Sequence, residues 1–328
     1  MKVTIYQVAE KANVSIATVS KVINNTGRIG EDTKKRVLKA MEELNYYPSL
    51  VASALTGKKT DTIGLLLPDI SNPFFAEIAR HIEDRAHELG LSVIMCSTDY
   101  NKDKESKYIQ LLLRKQVDGF ILSSGFRNKD LLNRLVEDEI PLAMIAHYNP
   151  SISVHGVSID DYKGGYLATS HLLSLGHKNI GLIGENVRSS NLRIYGYRDA
   201  FQDYDLSVDE GNILLTDASV SNGRKCAEQL LTSNDKPSAI FAVNDLLAIG
   251  AFQVAQEKGL SIPSDLSIIS FDNTILSRTT VPPLTTVAQP IEEMGKKIVD
   301  LLLEEIQHPK NKNEQLLYSP ELIIRGST

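Results

Sequence analysis

The sequence has few of the features of an exported or membrane-spanning protein. It contains only two cysteines, Cys96 and Cys226, each within an apolar segment, so neither a disulfide framework nor a cysteine-rich zinc site is expected. No apolar run approaches the roughly 18–20 residues that cross a bilayer, and the N-terminal segment lacks the apolar stretch of a signal peptide. The seven histidines are scattered without the spacing of metal ligands. These absences indicate a cytoplasmic protein with no metal and no membrane partner.

Motifs of common enzymes are also missing. No G-x-G-x-x-G follows a predicted strand, no G-x-S-x-G occurs, and Gly57-Lys58-Lys59 is preceded by Ala52 where a phosphate-binding loop requires glycine. Neither cysteine has an evident basic partner for nucleophilic catalysis. We therefore expect no enzyme and no cofactor. A nucleotide-binding enzyme and a free cytoplasmic sugar-binding protein are the alternatives from another class.

Charge is distributed unevenly along the chain, which at 328 residues is long enough for two or three compact units. The net charge is −6, but residues 1–60 hold ten Lys and Arg against five Asp and Glu, which leaves −11 for the remainder. A small basic module joined to a large acidic body indicates that only the first part binds a polyanion. The basic module argues against a free sugar-binding protein.

Residues 5–45 have the apolar spacing of three short helices. Ala9 and Ala12 are small enough for a close approach between the first two helices, and Ser15 can cap the second. Glu31 or Asp32 opens the third helix. The pattern is typical of a helix-turn-helix, whose second helix places its N-terminal residues in the DNA major groove; an ordinary helical hairpin is the alternative.

From residue 62 onward, strands alternate with amphipathic helices, as in doubly wound parallel sheets. The predicted strands are Thr62–Leu67, Leu91–Cys96, Gly119–Leu122, Leu142–Ile145, Ile180–Ile183, Ala239–Val243 and Leu266–Phe271. The clearest predicted helices are Phe75–Leu89, Ser106–Gln116, Asp161–Leu175 and Ile291–Ile306. We predict two subdomains, the first over about 61–159 and 290–318 and the second over about 160–289 and 319–328, with strands in Leu316–Ile324.

The tract VAEKANVSIATVSKVIN at positions 8–24, followed by NYYPSLVASALTGKKTDTIGLLLPDISNPFF, resembles the LacI/GalR family of bacterial regulators. The likeness continues in collinear order through LLLRKQVDGFIL, HLLSLGHKNIGLIG, IFAVNDLLAIGA, LSIISFDNT and PPLTTVAQP, and it is greatest to the DegA-like or catabolite-control-like branch of Gram-positive bacteria. The resemblance implies a helix-turn-helix headpiece over 1–47, a hinge helix and linker over 48–60, and an effector-binding and dimerisation core of periplasmic-binding-protein type over 61–328.

The function implied by the resemblance is that of a transcriptional repressor. It would bind double-stranded, palindromic operator DNA as a homodimer, with an affinity controlled by a small effector such as a sugar, a sugar phosphate or a related metabolite. The sign of that control is open, and regulation by a protein co-repressor or an activating role is the alternative. The family's tetramers carry a C-terminal helical extension that is not found before Thr328, which favours a dimer.

The same resemblance assigns DNA-binding residues. Base-reading positions are Ile16, Ala17 and Lys21, where lysine replaces the more usual arginine and is expected to read guanine more weakly. Phosphate-contacting positions are Thr4, Ser15, Thr18, Ser20 and Asn24. Arg28 and Ala52 are also among the DNA-binding residues. Leu55 would be the apolar wedge that enters the minor groove and kinks the duplex. The alternative is that residues 49–60 form only a flexible tether.

Effector-binding residues are expected where strands end, since open α/β sheets bind ligands beyond the carboxyl ends of their strands. The resemblance and these positions together assign Ser71, Asn72, Phe74, Phe75, Ser189, Arg193, Asn244 and Asp272. Arg193 is expected to have Asp272 and Asn244 as partners. Either phenylalanine could instead pack in the core, and Asp245 is expected to cap a helix. Ala218 stands where purine-binding relatives place an aromatic residue, which argues against a purine.

Overall fold

The structure is a computed structural model that describes residues 3–23, 26–46, 59–146, 152–309 and 313–328. The chain divides into two compact units, Met1–Thr60 and Asp61–Thr328. The predicted hinge helix over 48–60 lies almost entirely outside the described residues. Among those that are described, no helix combines the length and the apolar character needed to cross a membrane. No group of three or more described His, Cys, Asp or Glu side chains stands where it could hold a metal ion.

The described part of the first unit contains the three predicted helices, α1 (Ile5–Ala12), α2 (Ile16–Ile23) and α3 (Glu31–Glu43). The chain turns from α1 to α2 through Asn13 in the left-handed conformation (φ 51°), which asparagine tolerates better than most residues. The Ser15 hydroxyl accepts a hydrogen bond from the Thr18 N–H at 3.2 Å, which confirms the predicted cap. Small side chains fill the core between the helices: Val8, Ala9, Ala12, Val19, Val22, Val37 and Ala40 are buried.

The second unit is built on two six-stranded sheets. Its strands are β1 (Thr62–Leu67), β2 (Ser92–Ser97), β3 (Gly119–Ser123), β4 (Leu142–Ile145), β5 (His155–Ile159), β6 (Ile180–Gly184), β7 (Ile213–Leu215), β8 (Ala239–Ala242), β9 (Ser267–Asp272), β10 (Thr285–Ala288), β11 (Gln315–Tyr318) and β12 (Glu321–Ile323). The first sheet has the order β11-β5-β4-β3-β1-β2 and is parallel throughout. The second has the order β12-β10-β9-β8-β6-β7, and only β12 runs antiparallel to its neighbour.

Helices cover the sheets, as the alternating pattern predicted. They are α4 (Pro73–Glu88), α5 (Lys102–Arg114), α6 (Lys129–Glu137), α7 (Asp161–Ser174), α8 (Arg188–Asp203), α9 (Val220–Thr232), α10 (Asp245–Glu257) and α11 (Ile291–Gln307). In the first sheet, Leu65 and Ile121 pack with α4 and α11, whereas Leu66 and Phe120 pack with α5 and α6. Successive residues of a strand point to opposite faces, so this sheet is buried on both sides.

The chain passes between the two sheets three times. It crosses from β5 into α7, returns from β10 into α11, and crosses again from β11 to β12 at Ser319-Pro320. The predicted strand segment Leu316–Ile324 is therefore two short strands in different sheets. The strands β5, β7 and β10 were not predicted. The strands β7 and β10 have only three and four residues, and β5 is interrupted by Gly156 and Ser158.

Candidate functional site

In the first unit, α2 has one buried face and one exposed face. Val19 and Val22 are buried in the three-helix core, whereas Ala17 and Lys21 are exposed and Ile16 keeps 40% of its surface. The exposed face thus carries two apolar side chains near the helix N-terminus and one cation a turn later. This is a surface that can meet a thymine methyl group and donate to a guanine edge.

Hydroxyl groups beside this face are engaged in local hydrogen bonds. The Ser15 and Thr18 hydroxyls lie 2.9 Å apart and are hydrogen-bonded to each other. Thr4 stands immediately before α1, where its backbone N–H donates to Gln7 Oε1 at 2.9 Å. Ser20 is half-buried and Arg28 is exposed. The predicted contacts Asn24, Ala52 and Leu55 lie outside the described residues.

In the second unit, a cleft opens at the carboxyl ends of the parallel strands of both sheets. The space between its walls, including the part that is open to solvent, is about 540 Å³. The residues that line it follow strands of either sheet: Asn72, Phe74, Phe75, Tyr100, Ser124, Gly125, Ala146, Ile159 and Asp161 follow or end strands of the first, and Glu185, Val187, Ser189, Arg193, Asn244, Asp272 and Gln289 those of the second. Ligands bind open α/β sheets at this edge.

Arg193 is held at the base of the cleft by three kinds of contact. Its Nε and Nη2 both donate to Asp161 Oδ1 at 2.8 Å, and its Nη1 donates to the backbone oxygen of Val243 at 2.5 Å. The guanidinium lies 3.5 Å from the centre of the Phe271 ring. Only 7% of Arg193 is exposed, so its charge is largely neutralised by Asp161 and its orientation is restricted.

The close approach of α7 and α8 makes the pairing of Arg193 with Asp161 possible. A Cβ atom on Gly165 would stand 2.0 Å from the backbone oxygen of Arg193, and one on Gly196 would stand 2.1 Å from that of Tyr162. Neither helix could keep its position with a larger residue at these points. The two glycines therefore bring the start of α7 against the first turns of α8.

Two carboxyl groups lie near the guanidinium without a short ion pair to it. Asp272 Oδ1 is 3.8 Å from Arg193 Nη1 and accepts a hydrogen bond from Gln289 Nε2 at 2.7 Å. Burial, with the nearby Asp245 carboxylate, raises the pKa of Asp272 well above its usual value despite the opposing effect of Arg193. Burial also raises the pKa of Glu185, whose carboxylate accepts from Asn244 Nδ2 at 2.8 Å.

The backbone at Asp272 is strained. Its φ of 103° lies in a region that non-glycine residues rarely adopt, and the following residues are held by hydrogen bonds from Thr274. The Thr274 N–H and hydroxyl donate to Asp245 Oδ2 at 2.8 and 2.7 Å. Strain of this kind persists where the surroundings impose it, and here it directs the Asp272 carboxyl into the cleft.

Aromatic side chains form the wall that the first sheet contributes. Phe74 and Phe75 are both buried, with ring centres 5.2 Å apart in an edge-on arrangement. They belong to the core around α4 and also line the cleft, so the two predicted roles coexist. Tyr100 adds a third ring beside them, and burial raises the pKa of its hydroxyl.

Comparison with known proteins identifies this arrangement. The model for bacterial regulatory proteins of the lacI family matches residues 4–49, and a periplasmic binding protein-like domain matches residues 169–328. The HTH-type transcriptional regulator DegA of Bacillus subtilis (strain 168) is 47% identical over 334 residues, which cover 100% of this chain and 98% of that protein. This chain belongs to the lacI family of bacterial regulatory proteins.

Other members agree with this assignment. Catabolite control protein A of Priestia megaterium is 39% identical over 92% of both chains. The lac repressor dimer bound to operator and the anti-inducer ONPF has the same fold, with a TM-score of 0.89 and 29% identity over 100% of this chain and 99% of that one. As a LacI-family protein, this chain is a DNA-binding transcriptional regulator with a periplasmic-binding-protein-like domain, in agreement with the resemblance.

Most of the predicted effector residues of this LacI-family chain line the cleft, with three differences. Ser71 is absent from the cleft lining found among the described residues, and its hydroxyl donates to Asp69 at 2.7 Å. Asn244, predicted as a partner of Arg193, instead caps α10 by accepting from the Leu247 N–H and binds Glu185. Asp245 was expected to be that cap; it begins the helix and binds Thr274.

Several cleft residues were not predicted from the sequence as effector contacts. Asp161, the first residue of a predicted helix, was not paired with Arg193, and Tyr100, Glu185 and Gln289 were not singled out. Gln289 is buried, and its Oε1 accepts no hydrogen bond from any described residue. Each follows a strand, so the rule used for the others would have found them once β5 and β10 were recognised and the ends of β2 and β6 were placed.

Proposed function

We propose that this LacI-family protein represses transcription by binding a two-fold symmetric operator as a homodimer, and that a small polyhydroxylated metabolite in the cleft changes its operator affinity. The observation that carries the ligand part is the convergence of polar side chains from both subdomains around Arg193. A ligand touching both subdomains has different affinities for different subdomain arrangements, and only such a difference can couple ligand binding to DNA binding.

The lining of the cleft supports a polyhydroxylated ligand. Asp272, Glu185 and Gln289 offer hydrogen-bond acceptors, and Asn72 and Asn244 add amides close by. The Phe74 and Phe75 rings provide an apolar face against which the carbon skeleton of a sugar can rest. A buried acceptor such as Gln289 Oε1, which receives no hydrogen bond from the residues that the structure describes, is stabilised when a ligand hydroxyl donates to it.

The exposed face of α2 supports the proposal that Ile16, Ala17 and Lys21 read bases. Phosphate contacts are proposed for Thr4, Ser15, Thr18 and Ser20, and Arg28 is included among the DNA-binding residues. The net charge of +5 in residues 1–60 favours DNA binding by the first unit, whereas the second unit is acidic. The homodimer is proposed by analogy with the lac repressor dimer on its operator. A two-fold dimer places two identical α2 helices on two half-sites, which accounts for a palindromic operator.

The DNA-binding proposal can be tested without a known operator. Duplexes selected from a random pool by the full-length protein should share a two-fold symmetric sequence, and affinity for it should fall steeply with salt. Lys21→Ala should weaken binding and relax the preference at one position in each half-site. Lys35→Ala, which removes an exposed lysine of α3, is the matched control and should keep the preference. Selected sequences without symmetry would refute binding as a two-fold dimer.

The effector proposal is tested on Arg193. Ligands are found by the rise in melting temperature across a panel of sugars and sugar phosphates, and affinity is then measured by calorimetry. Arg193→Lys keeps a cation beside Asp161 but loses the planar fork, and it should weaken ligand binding by roughly 30-fold or more, about 2 kcal/mol. Operator affinity without ligand should be unchanged. Arg198→Lys is the control, because Arg198 lies on the same helix as Arg193 and its exposed ion pair is with Glu210, outside that helix.

The same titrations report the sign of the control. If the ligand releases operator DNA from the wild-type protein, the Arg193→Lys protein should stay bound at ligand concentrations that empty the wild type. If the ligand promotes binding, the variant should need more of it to occupy the operator. Wild-type ligand affinity in the folded variant would rule out this role for Arg193.

A further inference from the structure

The base of the cleft holds more carboxyl groups than cations. Asp161, Glu185 and Asp272 line it, and Arg193 is the one Lys or Arg that lines it among the residues the structure describes. Asp161 already pairs with Arg193 through two hydrogen bonds to one oxygen. Asp272 stays 3.8 Å from Arg193 Nη1, and Glu185 forms no ion pair with any described residue. Two carboxyl groups therefore lie at the base without a close counter-charge.

The surroundings of these two carboxyl groups disfavour their negative charge. Burial raises the pKa of Asp272 and of Glu185, and the nearby carboxylates of Asp245 and Asp217 add to the respective shifts. A cation in direct contact stabilises a buried carboxylate, because the attraction offsets the lost solvation. A positively charged ligand is therefore favoured at the base, whereas an anionic ligand would meet like charge.

Gln289 adds a hydrogen-bond acceptor to the same place. Only 7% of Gln289 is exposed, and its Nε2 donates to Asp272 Oδ1 at 2.7 Å. That contact fixes the orientation of the amide, so the oxygen is the atom that faces away from the carboxyl group. This Oε1 accepts no hydrogen bond from any described residue. An ammonium group has three donors and no acceptor, which matches a base rich in acceptors.

The aromatic wall of the cleft also favours a cation over an anion. Phe74, Phe75 and Tyr100 line the same base, and the negative face of an aromatic ring attracts a cation. An adjoining space carries three cations, Arg127, Lys129 and Arg188. The positive group of a ligand is therefore expected at the base and not in that space.

We propose that the effector is a cationic, polyhydroxylated metabolite, an amino sugar or a related amino polyol, with its ammonium group at the base against Glu185, Asp272 and Gln289. This inference rests on the proposed function and specifies the ligand class of the same cleft. Arg193, neutralised by Asp161, then donates to ligand hydroxyls instead of holding an anion. Because the three residues that receive the ammonium group follow or end strands of the second sheet, this group anchors the ligand to the second subdomain while its carbon skeleton contacts the phenylalanines of the first.

The test uses the full-length protein and triads of one hexose, its amino sugar and its N-acetylated amino sugar. The triads are built on glucose, galactose and mannose, and ammonium chloride is measured alone. In at least one triad, the amino sugar should raise the melting temperature most and bind about tenfold tighter than both partners, because hydrogen bonds between charged groups are stronger than those between neutral groups. The hexose controls for size, and the N-acetylated sugar keeps the nitrogen without its charge.

Calorimetry gives a second readout that depends on the charge itself. At about pH 6, roughly two units below the pKa of an α-amino group, the amino sugar binds as a cation. Because it stabilises the ionised forms of Asp272 and Glu185, its binding should release protons, and the measured enthalpy should change with the ionisation enthalpy of the buffer. Asp161 and Asp245, whose pKa values burial also raises, contribute to this proton count. The two neutral sugars should release far fewer protons.

The charge contacts are tested by a double variant, Glu185→Gln with Asp272→Asn, which removes two charges and keeps the acceptor oxygens of both side chains. It should bind the amino sugar and the hexose with similar affinity. Each single substitution should lower the preference part of the way, so the test holds even if the double variant does not fold. The matched control is Glu228→Gln with Asp235→Asn, at exposed positions of the same subdomain, which should keep the preference.

Several results would overturn the inference. An amino sugar that binds no tighter than its hexose, or a hexose that releases as many protons, would show that the base makes no contact with a positive charge, while leaving a sugar effector intact. An unchanged preference in the double and single variants would place the ammonium group elsewhere. Ammonium chloride that raises the melting temperature as much as the amino sugar would remove the role of the hydroxyls. If no member of the panel changes the melting temperature of the wild-type protein, both the inference and the sugar-type effector of the proposed function fail, and operator binding is unaffected.

Discussion

Replacing Asp245 by asparagine should stabilise the second unit at neutral pH. The side chain is buried beneath the strained segment that carries Asp272, and burial raises its pKa from 3.8 to about 6. Because the folded protein holds this proton more tightly than the unfolded chain, stability is gained as pH falls from 6 towards 4. Above pH 6 the ionised carboxylate is unfavourable in the folded state by roughly 3 kcal/mol, from a shift of about two units.

Asparagine removes the charge and keeps the hydrogen bonds. Its amide oxygen can accept from the Thr274 N–H and hydroxyl as Asp245 Oδ2 does. For a unit of this size, roughly 3 kcal/mol corresponds to a rise in melting temperature of about 5 °C. The rise should be present at pH 7.5 and should vanish near pH 4, where the wild-type carboxyl is protonated.

The melting temperatures of the wild-type protein and of Asp245→Asn are measured from pH 4 to pH 8 by fluorescence and circular dichroism. Asp272, whose pKa the Asp245 carboxylate helps to raise, titrates in both proteins. The difference between the two curves therefore measures the Asp245 charge together with its effect on Asp272. Asp235→Asn, at an exposed position, is the control and should change the melting temperature little. Asp245→Ala removes the hydrogen bonds as well and should melt lower than asparagine at every pH. The reasoning would be refuted if the wild-type protein and Asp245→Asn melted at the same temperature at pH 7.5, or if the difference between their melting temperatures did not change with pH.

Two further substitutions test the packing of the cleft and the predicted minor-groove wedge. Gly165→Ala should lower the stability of the second unit by about 1–3 kcal/mol and weaken ligand binding, because its Cβ would overlap the Arg193 backbone oxygen. The control in thermal melting is Gly211→Ala, where the atom nearest to the added Cβ is an exposed Asp209 oxygen at 3.1 Å. Leu55→Ala should reduce operator affinity and DNA bending in a gel-mobility assay while leaving ligand affinity unchanged, since the wedge acts only on the duplex. If the wild-type protein and Leu55→Ala bend DNA equally, residues 49–60 are better described as a flexible tether.

Much of this architecture can be predicted from the sequence because it depends on local patterns. The three-helix spacing around Val8, Val19 and Val37, the cap at Ser15 and the central strands of both sheets follow from periodicity over a few residues. Arg193, Asn244 and Asp272 could be placed at the cleft for a related reason: each lies in a segment that follows a strand, and all the parallel strands of a sheet end at the same edge.

Only the tertiary structure decided how those residues are paired. Asp161 reaches Arg193 because Gly165 and Gly196 bring two helices into contact, and no spacing in the sequence reports the distance between side chains 32 positions apart. The pairing of Asn244 with Glu185 and of Gln289 with Asp272 is likewise a property of the folded chain. Electrostatic and hydrogen-bonding contacts act through space, so they are set by the meeting of distant segments rather than by the pattern within any one of them.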